Sequence, residues 1–69
     1  MTPNSRSRTK LINARQSLLK TQREVSLEAG IERSHYAKIE RGERMPSVDV
    51  AHRIAKALNS SIEHLFFDA

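Results

Sequence analysis

Apolar residues recur along this chain at intervals of three and four positions. The clearest stripe lies between residues 48 and 58 and consists of Val48, Ala51, Ile54, Ala55 and Leu58. This spacing places side chains on one face of an α-helix. Shorter stripes of the same kind occur between residues 9 and 19 and between residues 33 and 41, and no segment has convincing strand character. The pattern predicts an all-α fold.

Capping residues and glycines divide the chain into five short helices. Thr21, with Glu24 three residues later, matches the capping box that begins a helix, and Ser47 is a suitable N-cap for the stripe at 48–58. Gly30 and Gly42 suit the left-handed position that ends a helix. A last short helix is predicted to begin at residue 60 or 61. Residues 1–8 lack periodicity and are predicted to be a flexible basic arm, leaving residues 9–69 as one domain.

The segment 21–39 has the layout of a helix-turn-helix, with two short helices joined at Gly30. In such a pair one helix supports the other, which enters the major groove of DNA. The predicted inner face consists of small and apolar residues, among them Val25, Ser26, Ala29, Tyr36 and Ile39. The second helix carries a polar outer face, to which we assign Arg33, Ser34, Ala37, Lys38 and Arg41.

Composition narrows the possible partners. Twelve lysines and arginines against eight acidic residues give a net charge of +4, which favours an anionic partner, with nucleic acid before a membrane surface. The chain has no cysteine, which excludes disulfides and thiolate metal sites, and its three histidines form no ligand motif. No apolar run is long enough to span a membrane. We therefore expect a cytoplasmic protein without metal or cofactor.

An enzyme is the least favoured class. The sequence offers no paired carboxylates, no nucleophile with an adjacent base and no phosphate-binding glycine loop, and a domain of 69 residues leaves little room for a pocket.

The sequence resembles the Xre family of helix-turn-helix regulators, which includes phage repressor and Cro-type domains. The resemblance covers about residues 11–66 and follows the family's order and spacing. The matching residues are Arg15, Thr21-Gln22, Glu24-Val25-Ser26, Gly30-Ile31, Lys38-Ile39-Glu40-Arg41-Gly42, Pro46-Ser47 and Ile54-Ala55-Lys56-Ala57-Leu58. Leu19 stands where a glycine often ends the first helix, Ser26 replaces a commoner alanine, and Glu32 replaces a more usual serine or threonine cap.

The resemblance implies a compact five-helix, lambda-repressor-like domain that binds double-stranded operator DNA as a homodimer. It places base contacts at Arg33, Ser34, Lys38 and Glu32, and backbone contacts at Gln22, His35, Arg41, Arg44 and Ser47. It also implies a structural ion pair between Arg15 and Glu40, which would join the first helix to the third.

Several of these residues admit two interpretations. Arg33 suits a bidentate contact to guanine, or else a phosphate contact. Lys38 and Ser34 each suit a base or a phosphate, and phosphate contacts are the more numerous class. Glu32 is either a weak helix cap or an acceptor for a cytosine amino group, and His35 is a boundary residue or a phosphate contact. The basic residues Arg6, Arg8 and Lys10 are available to phosphates, or belong to a solvated tail.

Met45, Phe66 and Phe67 present apolar area near the last two helices. These residues either complete the core of one chain or, for Leu65 and Phe67, supply a dimer contact. We expect Phe66 in the core and a dimer contact at Leu65 and Phe67. The alternative function is an antitoxin-like module that binds a co-encoded protein on the same fold. The run 32–34 also resembles the controller proteins of restriction–modification systems, which remain an alternative to a phage or chromosomal regulator.

Overall fold

The computed structural model describes residues 6–67, which form four α-helices and a C-terminal π-helical turn. Helix α1 spans Thr9–Ser17, α2 spans Gln22–Ala29, α3 spans Arg33–Glu40 and α4 spans Val48–Ala57. The π-helical turn spans Glu63–Phe67. No strand occurs between residues 6 and 67, so the predicted all-α fold with five helical elements is confirmed. Residues 1–5 of the predicted arm lie outside the described residues.

The predicted capping residues set the helix ends. Thr21 and Glu24 form a reciprocal capping box, in which the Glu24 amide donates to Thr21 Oγ1 at 3.0 Å and the Thr21 amide donates to Glu24 Oε1 at 2.8 Å. Gly30 follows α2 with φ 72°, and Ser47 Oγ accepts the Val50 amide at the start of α4. These contacts satisfy backbone groups that have no partner within their own helix.

Helix α1 ends earlier than predicted, at Ser17 rather than residue 19. Leu19 adopts φ 58° and is 90% exposed, so it takes the left-handed conformation usual for glycine at the end of a helix. Its amide donates to the Gln16 carbonyl, and the Lys20 amide donates to the Arg15 carbonyl. The turn therefore keeps its usual form, and Leu19 bears the steric cost of that conformation.

One hydrophobic core joins the five elements. Helix α2 packs against α4 and α3, while α1 packs against α3 and the π-helical turn. The core consists of Leu11, Val25, Ala29, Tyr36, Ile39, Ile54, Ala55, Leu58 and Leu65. Because α2 and α3 both contribute to this core, the angle between them is fixed by packing rather than by the turn alone.

Two residues lie on the opposite side from the one predicted. Val48, assigned to the apolar stripe of α4, is 73% exposed because it is the first residue of the helix and lies beyond the core. Ala37, assigned to the outer face of α3, is 6% exposed. Helix α3 is buried over a wide face, between α1 and α2, and a small residue fits at its border.

Residues 6–8 lie against the end of α3 instead of extending from the domain, which corrects the predicted boundary of the arm. The Arg8 amide donates to the Glu40 carbonyl at 2.8 Å. Gly42 has φ 77°, and a Cβ placed there would lie 2.1 Å from the Arg6 carbonyl oxygen. The chain can therefore pass this close only over a glycine.

Candidate nucleic-acid interface

Helices α2 and α3 present a rigid pair with one polar surface. Val25, Ser26 and Ala29 of α2 are buried, as are Tyr36 and Ile39 of α3. The Ser26 hydroxyl donates to the Arg23 carbonyl at 2.8 Å within α2, so this buried serine is satisfied where the family more often has alanine. The inner face predicted from the sequence is confirmed, and it leaves the opposite side of α3 open.

The residues predicted to contact bases lie together on the exposed side of α3 and at its start. Glu32, Arg33, Ser34 and Lys38 are exposed, and His35 is half-buried. Within residues 6–67 the Arg33 and Lys38 side chains form no hydrogen bond or ion pair. Both cations are therefore available to a ligand.

Glu32 does not act as a side-chain cap. It occupies the N-cap position of α3 with an extended backbone, φ −71° and ψ 147°, but its carboxylate accepts no capping hydrogen bond. The sequence left Glu32 as either a weak helix cap or an acceptor for a cytosine amino group, and the capping contact is not observed in this structure. Its exposed carboxylate instead lies next to Arg33 in the chain, at the start of the candidate recognition helix.

A buried ion pair joins the first three helices. Arg15 donates to Glu40 through Nε at 2.6 Å and Nη2 at 3.3 Å, and these side chains are 13% and 3% exposed. Hydrogen bonding to Glu40 raises the pKa of Arg15. Gln22 Nε2 also donates to Glu40, at 2.9 Å. The amide predicted to contact a phosphate is thus half-buried and oriented by Glu40 at the start of α2.

Tyr36 lies on the inner face of α3, as predicted. Its ring is fully buried, and its hydroxyl is also buried and has no hydrogen-bond partner among the described residues. Burial raises the pKa of Tyr36 well above its usual value, and the neighbouring Glu40 raises it further. Tyr36 is therefore a core residue and offers no stacking surface to a base.

The residues predicted to contact the DNA backbone differ in their present partners. Arg41 Nε donates to Glu43 Oε2 at 2.9 Å, a contact that raises the pKa of Arg41 and lowers that of Glu43. Arg41 would therefore exchange a carboxylate for a phosphate on binding. Arg44 is exposed, and its side chain has no partner within residues 6–67. The Ser47 oxygen caps α4, which leaves its O–H free to donate.

Part of the basic surplus is used inside the protein. Among the contacts within residues 6–67, the side chains of four lysines and arginines donate to main-chain carbonyls, and these are Arg8, Arg15, Lys20 and Arg53. Three of the carbonyls, those of Ile39, Ala29 and Ala57, belong to the last turn of a helix, where the helix dipole favours a cation. The sequence did not predict these three contacts, because nothing in the local pattern links the cation to a carbonyl more than twenty positions away.

An apolar groove lies between α4, the loop before it and the C-terminal turn. It has a volume of about 130 Å³ and is lined by Met45, Pro46, Val48, Ala51, Ile62, Phe66 and Phe67. Phe67 is 69% exposed, whereas Leu65 is 3% exposed and belongs to the core. The expectation of a dimer contact at Leu65 is therefore wrong, since its side chain is already covered within one chain. Phe66 packs at the border of the core.

Neither a membrane span nor a metal centre is found in the described part of the chain. No helix between residues 6 and 67 is long and apolar enough to cross a bilayer. Over the same residues, no three histidine, aspartate or glutamate side chains are grouped so that they could hold a metal ion.

Comparison with known families shows which class this arrangement belongs to. A helix-turn-helix family model, HTH_3, matches residues 11–65 and so includes all four α-helices except the first two residues of α1. The chain belongs to the Xre family of helix-turn-helix regulators. The family resemblance inferred from the sequence is confirmed.

Individual relatives agree with this membership. The chain is 39% identical over 56 residues to the cryptic phage CTXphi transcriptional repressor RstR of Vibrio cholerae. The match covers 81% of this chain and spans half the length of that relative.

Solved structures of two regulators have the same fold. The restriction–modification controller protein C.AhdI of Aeromonas hydrophila superposes with a TM-score of 0.79 at 28% identity, over 84% of this chain and 88% of that one. The clp gene regulator ClgR of C. glutamicum superposes with a TM-score of 0.75 at 21% identity, over 83% of this chain and 74% of that one.

The segment matched by the family model includes the candidate recognition helix of this Xre-family chain. The candidate DNA-contacting residues from Gln22 to Ser47 all lie within the matched segment. Arg8, Phe66 and Phe67 lie outside it.

Proposed function

We propose that this protein is a sequence-specific transcriptional regulator that binds a two-fold symmetric operator as a homodimer, with α3 in the major groove. The observation that carries the proposal is the exposed face of α3, where Arg33 in the first turn and Lys38 in the last turn form no hydrogen bond or ion pair within the described part of the chain. Four other cations instead donate to internal carbonyls, whereas Arg33 and Lys38 leave their donors open to a ligand.

Base recognition rests mainly on Arg33 and Lys38. An arginine can donate to guanine O6 and N7 together, a contact that discriminates by about 1–3 kcal/mol. Ser34 and Glu32 support it, Glu32 by accepting from a cytosine amino group in place of the capping bond that it does not make.

Backbone contacts flank the recognition helix on both sides. Gln22 begins α2, where free amides and the helix dipole favour a phosphate. Arg41, Arg44 and Ser47 extend from the end of α3 to the start of α4, and His35 lies at the margin of the polar face. Such contacts hold the protein in register and carry most of the salt dependence.

A second copy of the chain is the proposed occupant of the apolar groove. Met45, Val48 and Phe67 are each about 70% exposed and border a single groove, an arrangement that favours burial against another protein surface. Two copies related by a two-fold axis would present two α3 helices to half-sites about 34 Å apart.

The relatives support two subtypes of this function. The match to a phage transcriptional repressor favours repression of promoters, and the match to a restriction–modification controller protein favours a small self-contained regulator. We propose the same DNA interface for both subtypes. The same proposal includes a cytoplasmic location and no enzymatic activity, because the protein would act by binding chromosomal or phage promoters.

Two alanine variants test the assignment of contacts. In Arg33→Ala we expect relaxed specificity at one base pair in each half-site, because a base contact is lost. In Arg44→Ala we expect equal weakening on all sequences and a salt slope reduced by about one unit, because a phosphate contact is lost. The measurement is fluorescence anisotropy at several salt concentrations, with promoter fragments and random duplex.

The outcomes separate the possible errors. If the parent protein does not distinguish any promoter fragment from random duplex at moderate salt, sequence-specific regulation is wrong. If the two variants change specificity and salt slope alike, the regulator assignment stands but the division into base and backbone contacts is wrong.

An antitoxin-like module is the second candidate, and the apolar groove is the observation that favours it. In that case a co-encoded protein rather than a second copy would cover Met45, Val48 and Phe67. Co-purification with the product of a neighbouring gene distinguishes the two. A stable complex that survives Arg33→Ala but is lost in Phe67→Ser supports the module, whereas a symmetric dimer without a partner supports the regulator.

A further inference from the structure

The Arg8 side chain contacts three parts of the molecule that are distant in sequence. Its Nη1 donates to the Ile39 carbonyl at 2.9 Å and, less closely, to the Arg44 carbonyl at 3.4 Å. Its Nη2 lies 3.5 Å from Met45 Sδ, and its guanidinium lies 5.6 Å from the centre of the Phe66 ring. The residue thus touches the end of α3, the loop between α3 and α4, and the C-terminal turn.

These contacts suit an arginine specifically. A guanidinium has five N–H donors in one plane and an apolar face, so it can serve two carbonyls and stack against an aromatic ring at the same time. The Ile39 carbonyl lies in the last turn of α3, where the helix dipole favours a positive charge. Partial burial lowers the pKa of Arg8, yet an arginine stays charged over the whole physiological range.

The loop held by Arg8 is the one that carries the candidate backbone contacts. Arg41 and Arg44 lie at the end of α3 and in this loop, and Ser47 follows at the start of α4. The main chain of Arg6 and Arg8 also packs here, over Gly42 and against the Glu40 carbonyl. A displacement of the loop would move Arg44 relative to α3 and so relative to any bound duplex.

We infer that Arg8 is a positioning residue, which holds the loop between α3 and α4 so that Arg44 reaches the DNA backbone. This inference rests on the proposed function, and it replaces the expectation that Arg8 contacts phosphates itself. Arg8 acts on the loop through its hydrogen bonds to the main-chain carbonyls of Ile39 and Arg44. Its contact with Phe66 also ties the loop to the edge of the apolar groove.

The first part of the test needs no DNA. The Gly42 and Glu43 amides donate to the carbonyls of Ile39 and Lys38, so their hydrogen exchange measures how firmly the loop is held. We expect Arg8→Gln to speed their exchange about tenfold, if the loop opens locally. Arg53→Gln is the matched control, because Arg53 donates to the Ala29 carbonyl at the end of α2 and should leave these two amides unchanged.

The second part uses a double-mutant cycle on promoter DNA. We expect Arg44→Ala to weaken binding about fivefold in the parent protein and less than about twofold in the Arg8→Gln protein, because Arg44 is already misplaced there. Arg8→Lys keeps the positive charge but removes the planar set of N–H donors that serves two carbonyls at once. We expect it to show fast exchange at Gly42 and Glu43 and weakened binding, like Arg8→Gln.

Each contrary result has a distinct meaning. Unchanged exchange at Gly42 and Glu43 in Arg8→Gln would overturn the inference, and so would additive losses in the cycle. Full affinity in Arg8→Lys with fast exchange would show that only the charge matters, and would also overturn it. A parent protein that binds no promoter fragment overturns the proposed function and the DNA role of Arg8. The exchange measurement still decides whether Arg8 holds the loop.

Discussion

At the scale of single residues, Glu40 illustrates how a charged side chain becomes structural. It is 3% exposed and accepts hydrogen bonds from Arg15 and Gln22, so one carboxylate on α3 joins both preceding helices. A charge this deeply buried is tolerated only because it is paired and hydrogen-bonded. Arg15 and Glu40 thus place α1 and α2 relative to the recognition helix without touching a ligand.

We expect Glu40→Ala to lower the free energy of unfolding by about 2–4 kcal/mol, because it leaves the Arg15 guanidinium without its partner in a protected site. Glu43→Ala removes a carboxylate from the exposed Arg41 pair and is the matched control, with no measurable loss expected. Urea unfolding followed by circular dichroism provides the comparison. Equal stability of the two variants would show that burial of the Arg15–Glu40 pair is energetically unimportant.

Arg8 shows where residue-level inference from the sequence ends. The segment around it is polar and aperiodic, so its pattern favoured a tail. Its hydrogen-bond partners are main-chain carbonyls 31 and 36 positions away, which carry no side-chain signature in the sequence. By contrast, Arg33 and Lys38 were placed correctly on the exposed face of α3. The apolar residues Tyr36 and Ile39 define the inner face, and helical spacing from them puts both cations on the opposite side.

At the scale of elements, residues with strong local preferences allowed the closest predictions. The capping box at Thr21 and Glu24, the left-handed glycines at 30 and 42, and the Ser47 cap are all found where the sequence predicted them. The end of α1 was missed because Leu18 and Leu19 continue the apolar pattern although both lie beyond the helix. Hydrophobic spacing alone does not reveal where a backbone turns.

Leu19 provides a test of that turn. We expect Leu19→Gly to raise the free energy of unfolding by about 0.5 kcal/mol, because relief of the left-handed conformation outweighs the extra entropy of glycine in the unfolded chain. Little burial is lost, since Leu19 is 90% exposed. Leu18→Gly is the control, because Leu18 has φ −92° and gains no relief. Thermal unfolding of both variants decides; a loss of stability in Leu19→Gly would mean that the turn is not strained.

At the scale of the whole molecule, a polar and an apolar candidate surface meet at the loop between α3 and α4. Exposed polar groups at the start of α3 and in the following loop form one candidate surface, and Met45, Val48 and Phe67 border the other. The sequence indicated both surfaces but misassigned Leu65, because a C-terminal apolar residue can equally cover the core of its own chain. The polar surface recognises DNA in our proposal, and the apolar one doubles the number of half-sites bound.

The two surfaces should therefore respond differently to Phe67→Ser. If Phe67 contacts a second copy, this change converts the dimer into a monomer in analytical ultracentrifugation and weakens binding to a full operator by about a hundredfold, because linked half-sites no longer reinforce each other. Affinity for an isolated half-site stays the same, since α3 is untouched. Leu19→Ser is the control, because it removes another exposed apolar side chain without approaching the groove. A Phe67→Ser protein that stays dimeric would place the dimer contact on another surface, and equal losses on half-site and full operator would mean that Phe67 affects α3 itself.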